Sequence, residues 1–182
     1  MSIRKDFDLA EGLYIEAFPL DERRSKESIM ELLQKDYFEF IPIFTANNFV
    51  GFATLWMFEN FAYIEHFAVD SKERNKGIGF DFIRVLQGKE KKNSDLNFTL
   101  PTKKITNIVL EVEKPDNETA KRRIHFYERL DFKILDNYYF QPPYTETTKG
   151  LEMKVMLYSP NNEVEFEQIK NTLYKYVYKI EE

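Results

Sequence analysis

The chain has 182 residues, 43% of them hydrophobic and 16% aromatic, enough apolar mass for one packed domain, so disorder is not the default reading. It contains no Cys, which excludes disulfides, thiolate metal sites and a cysteine nucleophile, and its formal charge of −5 argues against sequence-independent binding to a nucleic-acid backbone. No apolar run is long enough to span a bilayer, and charges interrupt "MSIRKDFDLAEGLYIEAF" too often for a secretory signal, so the expected setting is cytoplasmic, without membrane contact.

Residues 2–5 read as a short first strand. Leu9, Leu13 and Ala17 have helical spacing over Asp8–Phe18, and Pro19 ends or kinks that helix. Ser25 caps a second helix to about Gln34, with Ile29, Leu32 and Leu33 inward. "YFEFIPIFT" is a strand whose Pro42 demands an edge position or a bulge. "ANN" (Ala46–Asn48) is a turn, Phe49–Phe58 the returning strand, Glu59–Asn60 a second turn and Phe61–Val69 a third strand. A helix over about Phe80–Lys91 follows, then a long polar loop from Lys91 to Lys104. Ile105–Glu113 has the apolar run of a central strand, and "PDNETAKRRIHFYERL" places Ala120, Ile124, Tyr127 and Leu130 in helical register. Phe132–Phe140 and Leu151–Tyr158 are strands joined by "QPPYTETTKG", and a terminal helix covers about 162–179. The alternation of elements without a linker implies one α/β (α+β) domain on a mixed sheet over 1–182. Lysine and arginine clusters, such as Lys121–Arg123, read as solvated surface, and two histidines without Cys make no metal site.

The stretch "RNKGIG" (Arg74–Gly79) stands apart, because it holds two of only 6 glycines in the chain. It lies between a strand and a helix. A helix N-terminus presents unpaired N–H groups and a partial positive charge, which suit phosphate oxygens. Gly77 and Gly79 remove β-carbons and allow positive φ, while Arg74 and Lys76 add positive charge. Neither G-x-x-x-x-G-K-[ST] nor G-x-G-x-x-G is present, since position 82 is Phe. Alone, the turn is equally an anion cradle or simply a tight turn.

Its context resembles motif A of the GCN5-related N-acetyltransferase (GNAT) superfamily, [RQ]-x-x-G-x-[GA], here Arg74-Asn75-Lys76-Gly77-Ile78-Gly79 after a strand ending Val69-Asp70-Ser71. Further on, Phe126-Tyr127-Glu128-Arg129-Leu130-Asp131-Phe132 resembles a second family signature, "fYeklGF", with Asp131 in place of Gly. "AFPLDERR" is similar to an early helix-to-helix corner of such enzymes. The resemblance covers about residues 3–158. It implies a mixed, mostly antiparallel sheet flanked by helices, with the terminal helix an addition that packs on the core and lines the acceptor pocket.

The resemblance also implies acetyl-CoA as co-substrate. Its pyrophosphate would sit on Arg74, Asn75, Lys76, Gly77, Ile78 and Gly79, and its pantetheine would pair with Phe67, Ala68 and Val69. Many members carry an Asn seven residues before the helix Tyr; that position is Ala120 here, with Asn117 the nearby substitute. The acceptor would be a small-molecule or peptide primary amine, attacking directly once a base has taken its proton, because an amine with pKa near ~10.4 is ammonium at neutral pH. Glu65, a carboxylate inside an apolar strand, is the expected base or substrate-binding acid, on a face shared by Tyr63, Phe67 and Val69 and opposite His66. Tyr127 is the expected general acid for the thiolate. Residues 18–34, the Glu59–Asn60 turn and the "QPPYTETTKG" loop would build the acceptor pocket. Tyr138, Tyr139 and Tyr144 would supply an aromatic wall, and Asp21, Glu22 and Glu59 negative charge. The plainer readings are a paired or rim Glu65 and a Tyr127 that only packs. The rival function is a non-catalytic acyl-CoA-binding sensor or partner subunit of the same fold, and the resemblance admits a homodimer.

Overall fold

Phe7, Ala10 and Tyr14 recur at helical spacing and are all buried, and they set the inward stripe of the first helix, α1 (Ile3–Ala17). The computed structural model describes residues 3–144, 149–161 and 163–180. Residues 3–5, expected as a strand, are the first turn of α1; residue 2 lies outside the described residues. The stripe is also displaced from the expected one, for Leu9 is 49% exposed. Helix α2 (Lys26–Leu32) starts as anticipated, with Ser25 Oγ accepting from Ser28 N at 3.2 Å.

Strands β1 (Phe38–Thr45), β2 (Asn48–Met57) and β3 (Ala62–Val69) form an antiparallel meander. In the first turn the left-handed residue is Ala46, at φ 53°, rather than an Asn. Pro42 lies where β1 has no outer neighbour, one residue before a register shift at Ile43/Phe44, so it withholds an N–H from no ladder partner. Helix α3 (Ile78–Leu86) follows the glycine turn. The expected long loop contains a two-residue strand, β4 (Leu96–Asn97), which pairs with the end of β1 and is anchored by the fully buried Leu96. Then come β5 (Ile108–Glu113), α4 (Glu118–Glu128), β6 (Lys133–Gln141), β7 (Leu151–Tyr158) and α5 (Phe166–Thr172), the last prolonged by a π-helical turn, Leu173–Val177.

The seven strands make one sheet in the order β4-β1-β2-β3-β5-β7-β6, with β3 and β5 the one parallel pair among the described strands. One apolar cluster, including Phe7, Tyr14, Ile29, Phe52, Trp56, Ile169 and Leu173, fills the space between the sheet and α1, α2 and α5. The other, including Leu55, Phe82, Ile83, Ile124 and Leu130, fills the opposite face under α3 and α4. The result is a single mixed α/β domain with a mostly antiparallel sheet between helices, as anticipated.

Two irregularities position the site. The β3–β5 pairing stops after Ile64↔Leu110, so the next residues, Glu65 and Glu111, stand at a fork where the strands part. In the β2–β3 ladder, Thr54 opposes His66 and Leu55 opposes Ile64, which leaves Glu65 as an extra, bulged residue. The bulge inverts the alternation. Tyr63 and Ala68 belong to the α1/α5 cluster, whereas Ile64, Phe67 and Val69 belong with the α3/α4 cluster. His66 packs against Tyr14 and Phe18, so it shares the face to which Glu65 turns rather than opposing it.

Candidate active site

The turn after β3 is built from special backbone. Asp70 caps a short 3-10 helix, Ser71–Glu73, by accepting from Lys72 N at 2.8 Å. Asn75 and Gly77 both have positive φ, 64° and 81°, and Gly77 is the N-cap of α3. The first bond at this helix start runs from Asp81 N to Gly77 O at 2.9 Å, so the N–H groups of Ile78, Gly79 and Phe80 precede it. A Cβ on Gly77 would meet nothing within 4 Å, whereas one on Gly79 would stand 3.4 Å from the Phe67 ring and 3.5 Å from the Phe126 ring. Arg74 Nε donates to Val69 O at 3.1 Å and ties the end of β3 to the turn; Lys76 pairs with Glu73 at 2.9 Å. The buried Asp81 accepts from Lys92 N and Asn93 N and holds the following loop against α3.

From this turn a cleft of about 1280 Å³ runs along β3 to the fork. Its lining includes every residue expected at the cofactor site except Asn117: Phe67, Ala68, Val69 and Arg74–Gly79. It also includes Glu65 and Tyr127. Past Ile64, β3 pairs only with β2, so the Phe67–Val69 backbone presents to the cleft an edge with no neighbouring strand, Val69 O being held by Arg74 Nε. Asn117 is occupied elsewhere, as the N-cap of α4, its Oδ1 accepting from Ala120 N at 2.9 Å.

The two acids at the fork sit in different environments. Glu65 is enclosed, its side chain 0% exposed. Its Oε1 accepts from Arg24 Nε at 2.8 Å and its Oε2 from Trp56 Nε1 at 2.9 Å. Burial alone would push its carboxyl up, but the Arg24 guanidinium and these bonds hold it below the ordinary range. Arg24 lies between the Trp56 and Tyr144 rings, at 5.4 and 4.8 Å, and donates to Val177 O at 2.8 Å. Glu65 is therefore a paired acid, its partner an arginine.

Glu111 has no ionic partner among the described residues. Its carboxylate accepts from Tyr63 at 2.9 Å and Tyr178 at 2.7 Å, and from Tyr139 Oη and Gln141 Nε2. Burial pushes its carboxyl up, and these four neutral donors only partly oppose that. Two acids at one fork thus differ in charge preference, the pattern by which sites separate proton roles.

Tyr127, on α4, is buried, and burial raises its hydroxyl to about 12. Its hydroxyl bonds to none of the described residues. The α4 terminus behind it is a Schellman turn: Phe132 N donates to Tyr127 O and Asp131 N to Glu128 O, with Asp131 left-handed at φ 65°, the conformation that glycine serves in the family signature. His66 is a satisfied core histidine. It donates from Nε2 to Glu22 O at 3.0 Å and lies 3.2 Å from Thr54 Oγ1, and burial lowers its pKa, so its 3.7 Å approach to Glu65 is no ion pair. His125 is exposed and faces Glu128.

At the far end the cleft is lined by Glu16, Phe18, Glu22, Gln141, Tyr144 and Met153. Asp21, Glu59 and Tyr138 are not among its lining residues, and Tyr138 is 72% exposed; Tyr139 acts from beneath, through Glu111. Part of the "QPPYTETTKG" loop, 145–148, lies outside the described residues. The sequence reading missed Glu111, Arg24 and Tyr178. Glu111 carried the signal that singled out Glu65, a carboxylate inside an apolar strand; Arg24 entered only as part of the 18–34 pocket segment, and Tyr178 carried no signal.

Among the described residues no helix is long and apolar enough to cross a membrane, and no group of three His, Asp or Glu side chains could hold a metal ion. The family described as "Acetyltransferase (GNAT) domain" matches residues 39–134. A curated Bacillus subtilis protein, "Putative acetyltransferase YjbC", is 25% identical over 154 residues, 84% of this chain and 71% of its own. A solved Bacteroides thetaiotaomicron structure, "Putative acetyltransferase from GNAT family", is 34% identical with a TM-score of 0.82, covering 97% of this chain and 94% of that one. The Escherichia coli ribosomal-protein-S18-alanine N-acetyltransferase shares the fold, with a TM-score of 0.55 at 19% identity, over 91% of this chain and 96% of its own. With the family matching more than half of the sequence and both signature segments bordering one cleft, the chain belongs to the GNAT acetyltransferase family.

Proposed function

We propose that the protein moves an acetyl group from acetyl-CoA to a primary amine by direct attack. The observation that carries this reading is the continuity of one cleft, from the glycine turn, along the open edge of β3, to two carboxylates at the fork. The N–H groups at the start of α3 suit the pyrophosphate, and the Phe67–Val69 edge suits a pantetheine arm added like a strand. Backbone N–H groups on that edge would face the developing oxyanion.

The proton acceptor in this reading is Glu111 rather than Glu65. Glu65 is depressed and committed to Arg24 and Trp56, which favours a role in holding charge and shape. Glu111 is raised, lines the cleft and has no cationic partner among the described residues, a charge that a protonated amine would supply on binding. Glu16 and Glu22 at the same end give the approach negative charge. Tyr127 serves the departing thiolate. With its hydroxyl at about 12 and a thiol near ~8.5, full proton transfer is uphill by about 5 kcal/mol. Tyr127 therefore acts first as a hydrogen-bond donor to the developing thiolate, and the transfer completes as the thiol leaves.

The test is thiol release from acetyl-CoA with a panel of amines. Glu111→Gln and Tyr127→Phe are each expected to lower turnover by about 10²–10⁴-fold. Acetyl-CoA binding without amine-dependent thiol release would favour a sensor of the same fold, and variants as active as the wild type would end the assignment.

A further inference from the structure

The two carboxylates at the fork are reached by adjacent residues of the C-terminal segment. Val177 O accepts from Arg24 Nη2 at 2.8 Å, and Arg24 holds Glu65. Tyr178 Oη donates to Glu111 at 2.7 Å and lies 3.3 Å from Tyr63 Oη. The π-helical turn makes this reach possible. Leu173 and Val177 are both buried against the core, and the widened turn closes with Tyr178 N bonding to Leu173 O at 3.1 Å. Such turns often mark functional positions in helices.

We propose that Tyr178 is a positioning residue of the catalytic centre, whose hydroxyl fixes the orientation of the Glu111 carboxylate and keeps it ionised for the incoming amine. This rests on reading Glu111 as the proton acceptor. The groups facing Glu111 come from three directions: Tyr63 and Glu65 on β3, Tyr139, Gln141 and Tyr144 on β6 and just after it, and Tyr178 with the more distant Tyr174 on the terminal segment. None is a cation, and the one charged group, Glu65, is neutralised by Arg24. The ionised form of Glu111 therefore depends on neutral donors, each of which favours the charged state. Tyr178 is the hydrogen-bond donor among them that comes from after the last strand, well beyond the segment matched by the family. Its ring packs at a tilt against Tyr144, 5.5 Å between centroids, so removing only the hydroxyl leaves the packing in place.

The experiment is the pH profile of kcat/KM for Tyr178→Phe, with Tyr174→Phe as control. The Tyr174 hydroxyl, on the same segment, bonds to Phe140 O at 2.6 Å and gives no hydrogen bond to Glu111. Tyr178→Phe is expected to move the acid limb to higher pH, with activity at the acid end falling about tenfold and the alkaline plateau less than about threefold. Acetyl-CoA affinity should stay unchanged, and Tyr174→Phe should keep the wild-type profile. The carboxyl band of Glu111 in difference infrared spectra, assigned with Glu111→Gln, should move with the acid limb and does so without turnover. A Tyr178→Phe profile and band identical to wild type, or a loss equal at all pH, overturns the positioning role. If instead Glu111→Gln binds acetyl-CoA and remains fully active, the proton-acceptor reading fails first.

Discussion

Glu65 and Glu111 are adjacent at the fork, yet their surroundings push their carboxyls in opposite directions, and that opposition is measurable in stability. The folded value for Glu65 lies below its ordinary 4.5. Its contribution to stability is therefore present above that value and lost as pH falls through the depressed folded value. Glu111 is raised, so its contribution is present below 4.5 and lost as pH rises through the folded value. Urea unfolding across pH should show Glu65→Gln removing part of the acid-side loss and Glu111→Gln removing part of the loss toward neutral pH. Arg24 raises the stakes for Glu65. Arg24→Met leaves a buried carboxylate with Trp56 as its one remaining partner, and is expected to cost about 3–5 kcal/mol at neutral pH, read from the urea midpoint. A loss below about 1 kcal/mol would mean that water reaches Glu65 and that the pair is a surface pair in energy.

At the scale of elements, the strand–turn–helix unit was the most legible part of the sequence, because its geometry leaves few alternatives. Gly77 sits at φ 81°, where an alanine costs about 1 kcal/mol, so Gly77→Ala should lower the melting temperature by a few degrees. Gly79 differs. It has ordinary φ, and its Cβ would meet two rings at ordinary contact distances, inside the cleft between β3 and α4. Gly79→Ala should leave melting unchanged and weaken CoA binding in calorimetry; equal CoA affinity for wild type and Gly79→Ala would move the pyrophosphate away from this turn. Other elements were legible in part. Ser25 and Asn117 announced helix starts through their side-chain oxygens, and both cap helices. The pairing of β4 needed Leu96 to find β1 across a long separation, and two residues carry no period. The face of Glu65 was misread because period-2 alternation assumes a regular ladder, and nothing in "AYIEHFAV" announces the bulge. The first turn of α1 reads as a strand in the sequence because four residues hold too little pattern, while the stripe Phe7–Ala10–Tyr14 decides the matter over the longer span.

For the molecule as a whole, the sheet separates two tasks. The α3/α4 face carries the glycine turn and Tyr127; the α1/α2/α5 face carries Arg24, His66 and the aromatic surroundings of the acids, and the fork joins the two. The terminal helix belongs to the second face as fully as α1 does. Ile169, Leu173 and Val177 are essentially unexposed and share a cluster with Phe7 and Tyr14. At about 2 kcal/mol for each buried aliphatic side chain, these three together reach about 6 kcal/mol, already above the lower end of the roughly 5–15 kcal/mol net stability of a domain. Removing residues 160–182 should therefore abolish cooperative unfolding by circular dichroism, rather than trim a peripheral helix. Leu173→Ala is the graded version, expected to cost about 2–5 kcal/mol while leaving a folded chain. If the shortened chain instead unfolded cooperatively and still bound CoA, the α3/α4 face would be stable alone, and the terminal segment would serve the acids at the fork without supporting the fold. Near-native melting with lost amine turnover would point the same way, because Val177 O and Tyr178 Oη leave with the helix. The burial of Leu173 at 0% favours the first outcome: the segment that reaches Glu111 is held in place by the core it helps to complete.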